Sequence, residues 1–406
     1  MLVWIHLSQP WPPEWARPSP TKTMRRPGQR HIVQQALCLG VLLGLSAHPL
    51  LPGTRTKCVV LVTGDGIRWQ EVFRGADPNL LHSDDHGMKE AAEVRQKFGG
   101  SSREERRERL MPFLWTVVAR QGVIVGDRDR NQIVRLQNRY RFSYPGYSEL
   151  LTGRPQDDVV NSNANRPNPS ETVLEIVRRE LRLPRDKVAV FASWEVFHGI
   201  AAHSPGSIFV NAGYDALDSP PTPRSRELSQ AQFQLLTPWR SVRHDYITFE
   251  LAMEHLRSKL PRLLYVALGE TDDWAHQDRY DRYLEALHYF DHCLERLWKT
   301  LQSLPAYRGQ TTLLIATDHG RGDNPSTWPR HGEKVPEAAF VWLAALGPDT
   351  PPGEPITTPI ELTASDLAPT LLELLGMDSR RLLPQATGRP VELILRKGKT
   401  HSQDAR

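Results

Sequence analysis

The 406-residue chain is 39% apolar, enough to bury one large α/β core or two smaller ones. Its formal charge of +4 comes largely from Arg-rich stretches near the N-terminus and around Arg103–Arg109. No basic stripe is interleaved with aromatics, which argues against a nucleic-acid surface. Three cysteines, Cys38, Cys58 and Cys293, make neither a disulfide framework nor a zinc spacing.

Residues 1–53 do not read as fold. Met1 to Thr23 is rich in Pro and Trp without periodicity; Met24 to Arg30 is basic, and Ala36 to Ala47 is a short apolar run ending in small residues. That order is the pattern of a secretory signal, with translation starting at Met24 and the protein exported to the periplasm or medium. An irregular extension on a cytosolic protein is the alternative. The run is too short to span a bilayer comfortably, so no transmembrane anchor is expected once it is removed.

From Cys58 the chain becomes regular. Strands are expected at Cys58–Thr63, Val123–Val125, Lys187–Phe191, Leu263–Leu268, Thr311–Thr317 and Ala338–Leu346. Ser102 opens a capped start with helical spacing over Leu110–Ala119. A turn at Pro145-Gly146 leads to a short helix, Tyr147–Leu151, that stops at Gly153. Further helices fall at Ser170 onward, His244–Leu260, Arg279–Leu301 and Ser365–Leu375. The alternation predicts an α/β fold, a mostly parallel sheet sandwiched between helices. It occupies residues 54–395, with a small inserted lid within about 155–240, where Trp194 and His198 are expected to pack. Residues 396–406 read as a charged, disordered tail, and no internal repeat is present. Cys58, opening a strand, and Cys293, on a helix, read as small core residues.

Three of these strands run into acids or histidines at the same end. Leu313 to Thr317 delivers Asp318-His319-Gly320; Cys58 to Gly64 delivers Asp65; Leu263 to Gly269 is followed by Asp272 and His276. Buried parallel strands carry ligands to the carboxyl edge of a sheet in this way. The pattern therefore points to a metal site, and its carboxylate–imidazole donor set suits zinc or manganese. A second stretch, Arg141-Phe-Ser143-Tyr-Pro-Gly146, places a serine at a helix mouth, where free backbone N–H groups favour an anion. Such a hydroxyl needs a base or metal to become a nucleophile.

Taken together, these residues resemble the alkaline phosphatase superfamily, which includes nucleotide pyrophosphatase/phosphodiesterases, cofactor-independent phosphoglycerate mutases and sulfatases. The likeness runs from Cys58 to about Met377. It rests on Asp65-Gly-x-Arg68, Ser143-x-Pro with Thr152-Gly153, Asp272-x-x-x-His276, Asp318-His319-Gly and His331. It implies two divalent metals, one held by Asp272, His276 and His331, the other by Asp65, Asp318, His319 and the Ser143 oxygen. It also implies Ser143 as nucleophile toward a phosphorylated small molecule, with Ser148 as the runner-up. Arg68 either touches the substrate phosphate or pairs with a carboxylate. Gly146 sits where the phosphodiesterases carry an asparagine that helps bind substrate.

The departures narrow the choice. A sulfatase needs arginine where Tyr147 stands. The mutases carry a long domain between nucleophile and second ligand cluster, whereas Arg154–Arg262 leaves room for only a modest insertion. A phosphatase or phosphodiesterase is the favoured expectation, with a mutase, a sulfatase-like hydrolase and a non-catalytic binder as alternatives. Asp273 is expected to be a solvated neighbour or a support for the ligands. Asn161, Asn163 and Asn165 read as a solvated loop.

Overall fold

A computed structural model describes residues 54–395 except 83–87, 89–90, 218–221, 354–355 and 357. The proposed signal segment, Cys38 and the charged tail lie outside the described residues. Nine strands are assigned among the described residues: β1 Cys58–Gly64, β2 Val123–Val125, β3 Gln132–Arg135, β4 Val188–Ala192, β5 Phe209–Ala212, β6 Leu263–Leu268, β7 Thr311–Thr317, β8 Leu343–Leu346 and β9 Ile360–Thr363. Seven form one sheet in the order β2-β8-β7-β1-β6-β4-β5. The run from β7 to β5 is parallel, and β8 is antiparallel to both β7 and β2. A separate parallel pair joins β3 to β9.

The central strands are buried on both faces, which is why they read as unbroken apolar runs. Alternate residues enter two different cores. Val60 and Val62 of β1, Val266 of β6 and Ile315 of β7 face one; Val59, Leu61, Tyr265 and Leu314 face the other. The first core is closed by helices Asp245–Lys259 and Tyr280–Ser303, the second by helices Ser143–Thr152, Val173–Glu180 and Leu367–Leu374. This is the expected helix–sheet–helix sandwich. Register then decides where the ligands go. Gly64 pairs with Leu268 on one side and Thr317 on the other, so β1, β6 and β7 end level with one another.

Several local expectations change. Helix Ser143–Thr152 is continuous rather than starting after a turn, because proline costs nothing in a first turn whose N–H groups lack intrahelical partners. Gly153 ends it as expected, with φ 73°. The Ser102 cap is present, its side chain accepting from Glu105 N, but that helix stops at Leu110. The stretch Ala338–Leu346 splits into a 3₁₀ turn, Pro336–Ala339, and β8. Within the interval expected to hold a lid, the expected strand forms as β4 and an unexpected one, β5, pairs with it at the edge of the main sheet; β3, β5 and β9 are four-residue strands, too short to show a period. Cys58 and Cys293 are buried and free. No helix among the described residues is long and apolar enough to cross a membrane.

One buried carboxylate ties the ends of β4 and β6 together. Asp245 accepts from Ser193 Oγ at 2.6 Å, Gly269 N at 2.8 Å and Glu270 N at 3.1 Å. Burial, with the nearby Glu270 charge, pushes its pKa up to about 7. Asp245→Ala is expected to cost about 2–4 kcal/mol, because three buried donors lose their acceptor. Urea unfolding of the two proteins measures it, and a loss below about 0.5 kcal/mol would show that the tie is unimportant.

Candidate active site

The level strand ends put Asp65 and Asp318 beside one another, with Asp272 and His276 on the short helix Glu270–His276 that follows β6. One group of ligand atoms comprises Asp65, Asp318 and His319, all buried and all within 4.8 Å of one another. His319 Nε2 stands 3.3 Å from Asp65 Oδ1 and 3.5 Å from Asp318 Oδ2. The other ring nitrogen, Nδ1, lies 2.9 Å from the Gly320 carbonyl. That contact puts a proton on Nδ1 and turns Nε2 toward the acids. Gly66 N donates to Asp318 Oδ1 at 3.0 Å and the Tyr147 hydroxyl to Asp65 Oδ2 at 3.1 Å, so each acid is oriented through one oxygen and leaves the other free.

A second group brings together Asp272, His319 and His331. His276 Nε2 lies 2.9 Å from Asp272 Oδ2 and 3.0 Å from His331 Nε2. Two imidazole nitrogens facing each other so closely need a proton or a cation between them. His331 also stacks on His319 with ring centroids 4.0 Å apart. Burial lowers the pKa of both His276 and His331, with the positive His319 adding to the effect. Both are thus held in the neutral form that binds metal. The grouping differs from the sequence expectation in one respect: His319 reaches toward both clusters.

The donors fit divalent cations. Asp65 Oδ1, Asp318 Oδ2 and His319 Nε2 are buried and have no hydrogen-bond partner among the described residues. Donor atoms converging without a hydrogen bond between them form a cradle that fits a cation once His319 gives up its proton. Burial and the facing Asp65 raise the Asp318 pKa far above the carboxylate range, the mark of a site short of positive charge. Part of that charge is supplied by Arg321, a residue the sequence reading passed over. Its fully buried guanidinium lies against Asp272 Oδ1 and donates to Gly66 O at 3.1 Å and Pro329 O at 2.7 Å.

Ser143 is buried at the first position of its helix. It lines a cavity of about 340 Å³ together with Asp65, Asp272, His276 and His331. The helix mouth itself offers an anion little. Tyr144 N donates to Asn163 Oδ1 at 3.0 Å, Pro145 has no N–H, and Gly146 N closes on Phe142 O. Asn163 lines the same cavity. As the sequence reading expected, it is exposed in an irregular loop, and its carbonyl oxygen, held by Tyr144 N, fixes it beside Ser143. Ser148 lies elsewhere: fully buried, its Oγ accepts from Gln156 Nε2 at 2.6 Å and Asn168 Nδ2 at 3.3 Å.

Two proposed substrate contacts are placed differently. Arg68 is fully buried, its fork taken by Glu71 and by Gly322 O at 2.9 Å, so of its two readings the carboxylate pairing is the one observed. Gly146 is also buried. A Cβ there would collide with the Asp318 carbonyl, so its hydrogen serves close backbone packing and not substrate. Asp273 lines the cavity with Oδ2 unpartnered, and burial raises its pKa well above the carboxylate range; it is no solvated neighbour. Trp194 lines the cavity too, rather than packing a lid, and His198 pairs with Asp215 at 3.1 Å.

Residues 156–338 match the family described as type I phosphodiesterase / nucleotide pyrophosphatase. That span includes Asp272, His276, Asp318, His319 and His331, while Asp65 and Ser143 precede it. No curated protein matches the chain in sequence. Among solved structures, the alkaline phosphatase PafA is similar at 11% identity and TM-score 0.49, over 84% of this chain and 99% of that one. BT1596, a 2-O GAG sulfatase, is similar at 14% and 0.49, over 86% and 76%. The lipoteichoic acid synthase LtaP from Listeria monocytogenes is similar at 11% and 0.46, over 80% and 72%.

Burial alone would lower the His319 pKa, but Asp318 and Asp65 outweigh it and push it up to about 9. In the metal-free protein at neutral pH, His319 therefore carries a proton that an incoming cation must expel. Metal affinity should rise about tenfold per pH unit up to about pH 9. Calorimetric titration of zinc or manganese in buffers of different ionisation enthalpy should register proton release at pH 7. Affinity independent of pH would count against this cluster as the cation site.

Proposed function

We propose that this chain, one of the alkaline phosphatase superfamily by its phosphodiesterase-type segment, hydrolyses phosphate esters with two divalent metals and a phosphoserine intermediate. The observation carrying the reading is that Ser143 shares one cavity with Asp65, Asp272, His276 and His331, the carboxylates and imidazoles gathered at the sheet edge. Asp65, Asp318 and His319 would hold one cation, with the Ser143 oxygen beside it; Asp272, His276 and His331 would hold the other. Such ions, when bound, lower the pKa of a neighbouring hydroxyl and neutralise charge on the phosphoryl oxygens. Zinc and manganese both suit the donors.

The residues of the chain do the rest. Ser143 Oγ attacks phosphorus in line with the ester oxygen; the Oγ–P bond forms as the ester P–O bond breaks, and the departing alkoxide takes up a proton. Water then attacks the phosphoserine, releasing phosphate, or a phosphate monoester if the substrate is a diester, and restoring the hydroxyl. The Asn163 amide, in the lining of the same cavity, would donate to a non-bridging phosphoryl oxygen, the contact that positions charge for transfer. Arg321 contributes fixed positive charge and holds Asp272 in place. Tyr147 stands where a sulfatase would need arginine, and its hydroxyl is committed to Asp65, which favours an unmodified serine. The interval in which a mutase carries its extra domain is used here for β4 and β5, which favours water over the substrate as phosphoryl acceptor.

Ser143→Ala should abolish a phosphoserine trapped by acid quench and cut turnover by on the order of a thousandfold or more. Metal content, checked by elemental analysis, should stay at two ions per chain. Ser148→Ala should keep the intermediate and lose about 1–3 kcal/mol of stability, since two buried amides lose their acceptor. Normal turnover in Ser143→Ala would move the nucleophile elsewhere, and a phosphorylated isomer among the products in place of free phosphate would favour the mutase.

A further inference from the structure

The catalytic cavity is larger than a phosphate needs. At about 340 Å³ it enters the range, roughly 300–1,000 Å³, of sites for organic ligands. Part of its lining takes no part in the chemistry above: Trp194, Trp239, Arg240, Ser241 and Val242. These residues come from two segments, the loop after β4 and the loop entering helix Asp245–Lys259. The segments are laced together by Glu195 N donating to Ser241 O at 3.0 Å, Arg243 N donating to Ser193 O at 3.0 Å, and an antiparallel bridge between Trp194 and Val242. Arg243 anchors the lacing from behind. Its fully buried fork reaches Thr248 Oγ1 at 2.9 Å and the Asn211 and Asp215 carbonyls at 3.3 Å each. Trp239 is braced edge-on against Trp274, with ring centroids 5.0 Å apart. The two indoles therefore belong to a fixed wall, which spares a ligand the entropy of ordering it.

Arg240 is the unusual member. Arg68, Arg243 and Arg321 are buried and have every arm engaged. Arg240 is exposed, lines the cavity, and has neither hydrogen bond nor ion pair among the described residues. An uncommitted guanidinium beside two indoles fits a ligand that offers a flat face and a negative charge together.

We propose that Trp194, Trp239 and Arg240 form a leaving-group subsite. The preferred substrate is then a phosphate ester whose alcohol part contains a ring, packed on the indoles, and an anionic substituent, paired with Arg240. This rests on the hydrolase reading above and names its substrate class. The test compares phenyl with 4-carboxyphenyl phosphate, each as monoester and methyl diester, on the metal-loaded enzyme. The wild type should favour the carboxylated ester in kcat/KM, and Arg240→Met should reduce that preference about tenfold. Trp239→Ala, or Trp239→Phe if the alanine variant folds poorly, should raise KM for both ring esters relative to glycerol 2-phosphate. An unchanged preference in Arg240→Met overturns the subsite. So does an equal loss on both esters, which would assign Arg240 to the transferring phosphate. Should the wild type hydrolyse none of these esters, the hydrolase reading falls, and calorimetric binding of 4-carboxyphenyl against phenyl phosphate decides the subsite separately. A binding preference that disappears in Arg240→Met supports it, and no preference overturns it.

Discussion

The site depends on the shared register of three parallel strands. Because Gly64, Leu268 and Thr317 lie side by side, the residues following β1, β6 and β7 leave the sheet at one level, on strands about 4.8 Å apart. That spacing is what lets carboxylates from separate strands reach one cation. A slip of one residue would turn each side chain to the opposite face, and apolar packing on both faces prevents it. The ligand geometry is thus enforced by Val, Leu and Ile residues that never meet the substrate.

Gathering acids at one buried edge carries an electrostatic cost, and the surroundings are arranged around it. One oxygen of Asp318 is satisfied by Gly66 N and one of Asp65 by Tyr147, while the remaining oxygens are left open. Arg321 brings a cation from the same loop that supplies His319, and burial pulls its own pKa down to about 9. A guanidinium so costly to bury is retained only where negative charge holds it. The neutral His276 and His331 add ligands without adding to the repulsion.

Much of this could be read from sequence because the ligands follow apolar runs directly: Asp65 after β1, Asp318-His319 after β7, Asp272 and His276 one helix turn apart after β6. The place of Ser143 at a helix mouth was legible through Pro145 and Thr152-Gly153. What escaped depends on contacts between distant segments. Asn163 sits in an irregular loop, and only its bond to Tyr144 N brings it to the nucleophile. Trp239 and Arg240 reach the cavity through a backbone lacing to residues 193–195 that no local pattern announces. Arg321, three residues from Asp318, was in plain view, but a single arginine in a loop has no periodicity to mark it. Arg68 shows the opposite error: a position that suits phosphate binding is filled by a residue whose partner, Glu71, stands three residues on.

Gly146 has a mechanical consequence. Its missing side chain lets the helix that carries Ser143 rest directly on the Asp318 carbonyl. The approach of the Ser143 backbone to that of Asp318 is therefore gauged by main chain against main chain. Side chains hop among wells; peptide planes in a packed sheet and helix do not. Ser143 and the strand edge behind it therefore behave as one rigid jaw, facing the equally braced wall of Trp194 and Trp239.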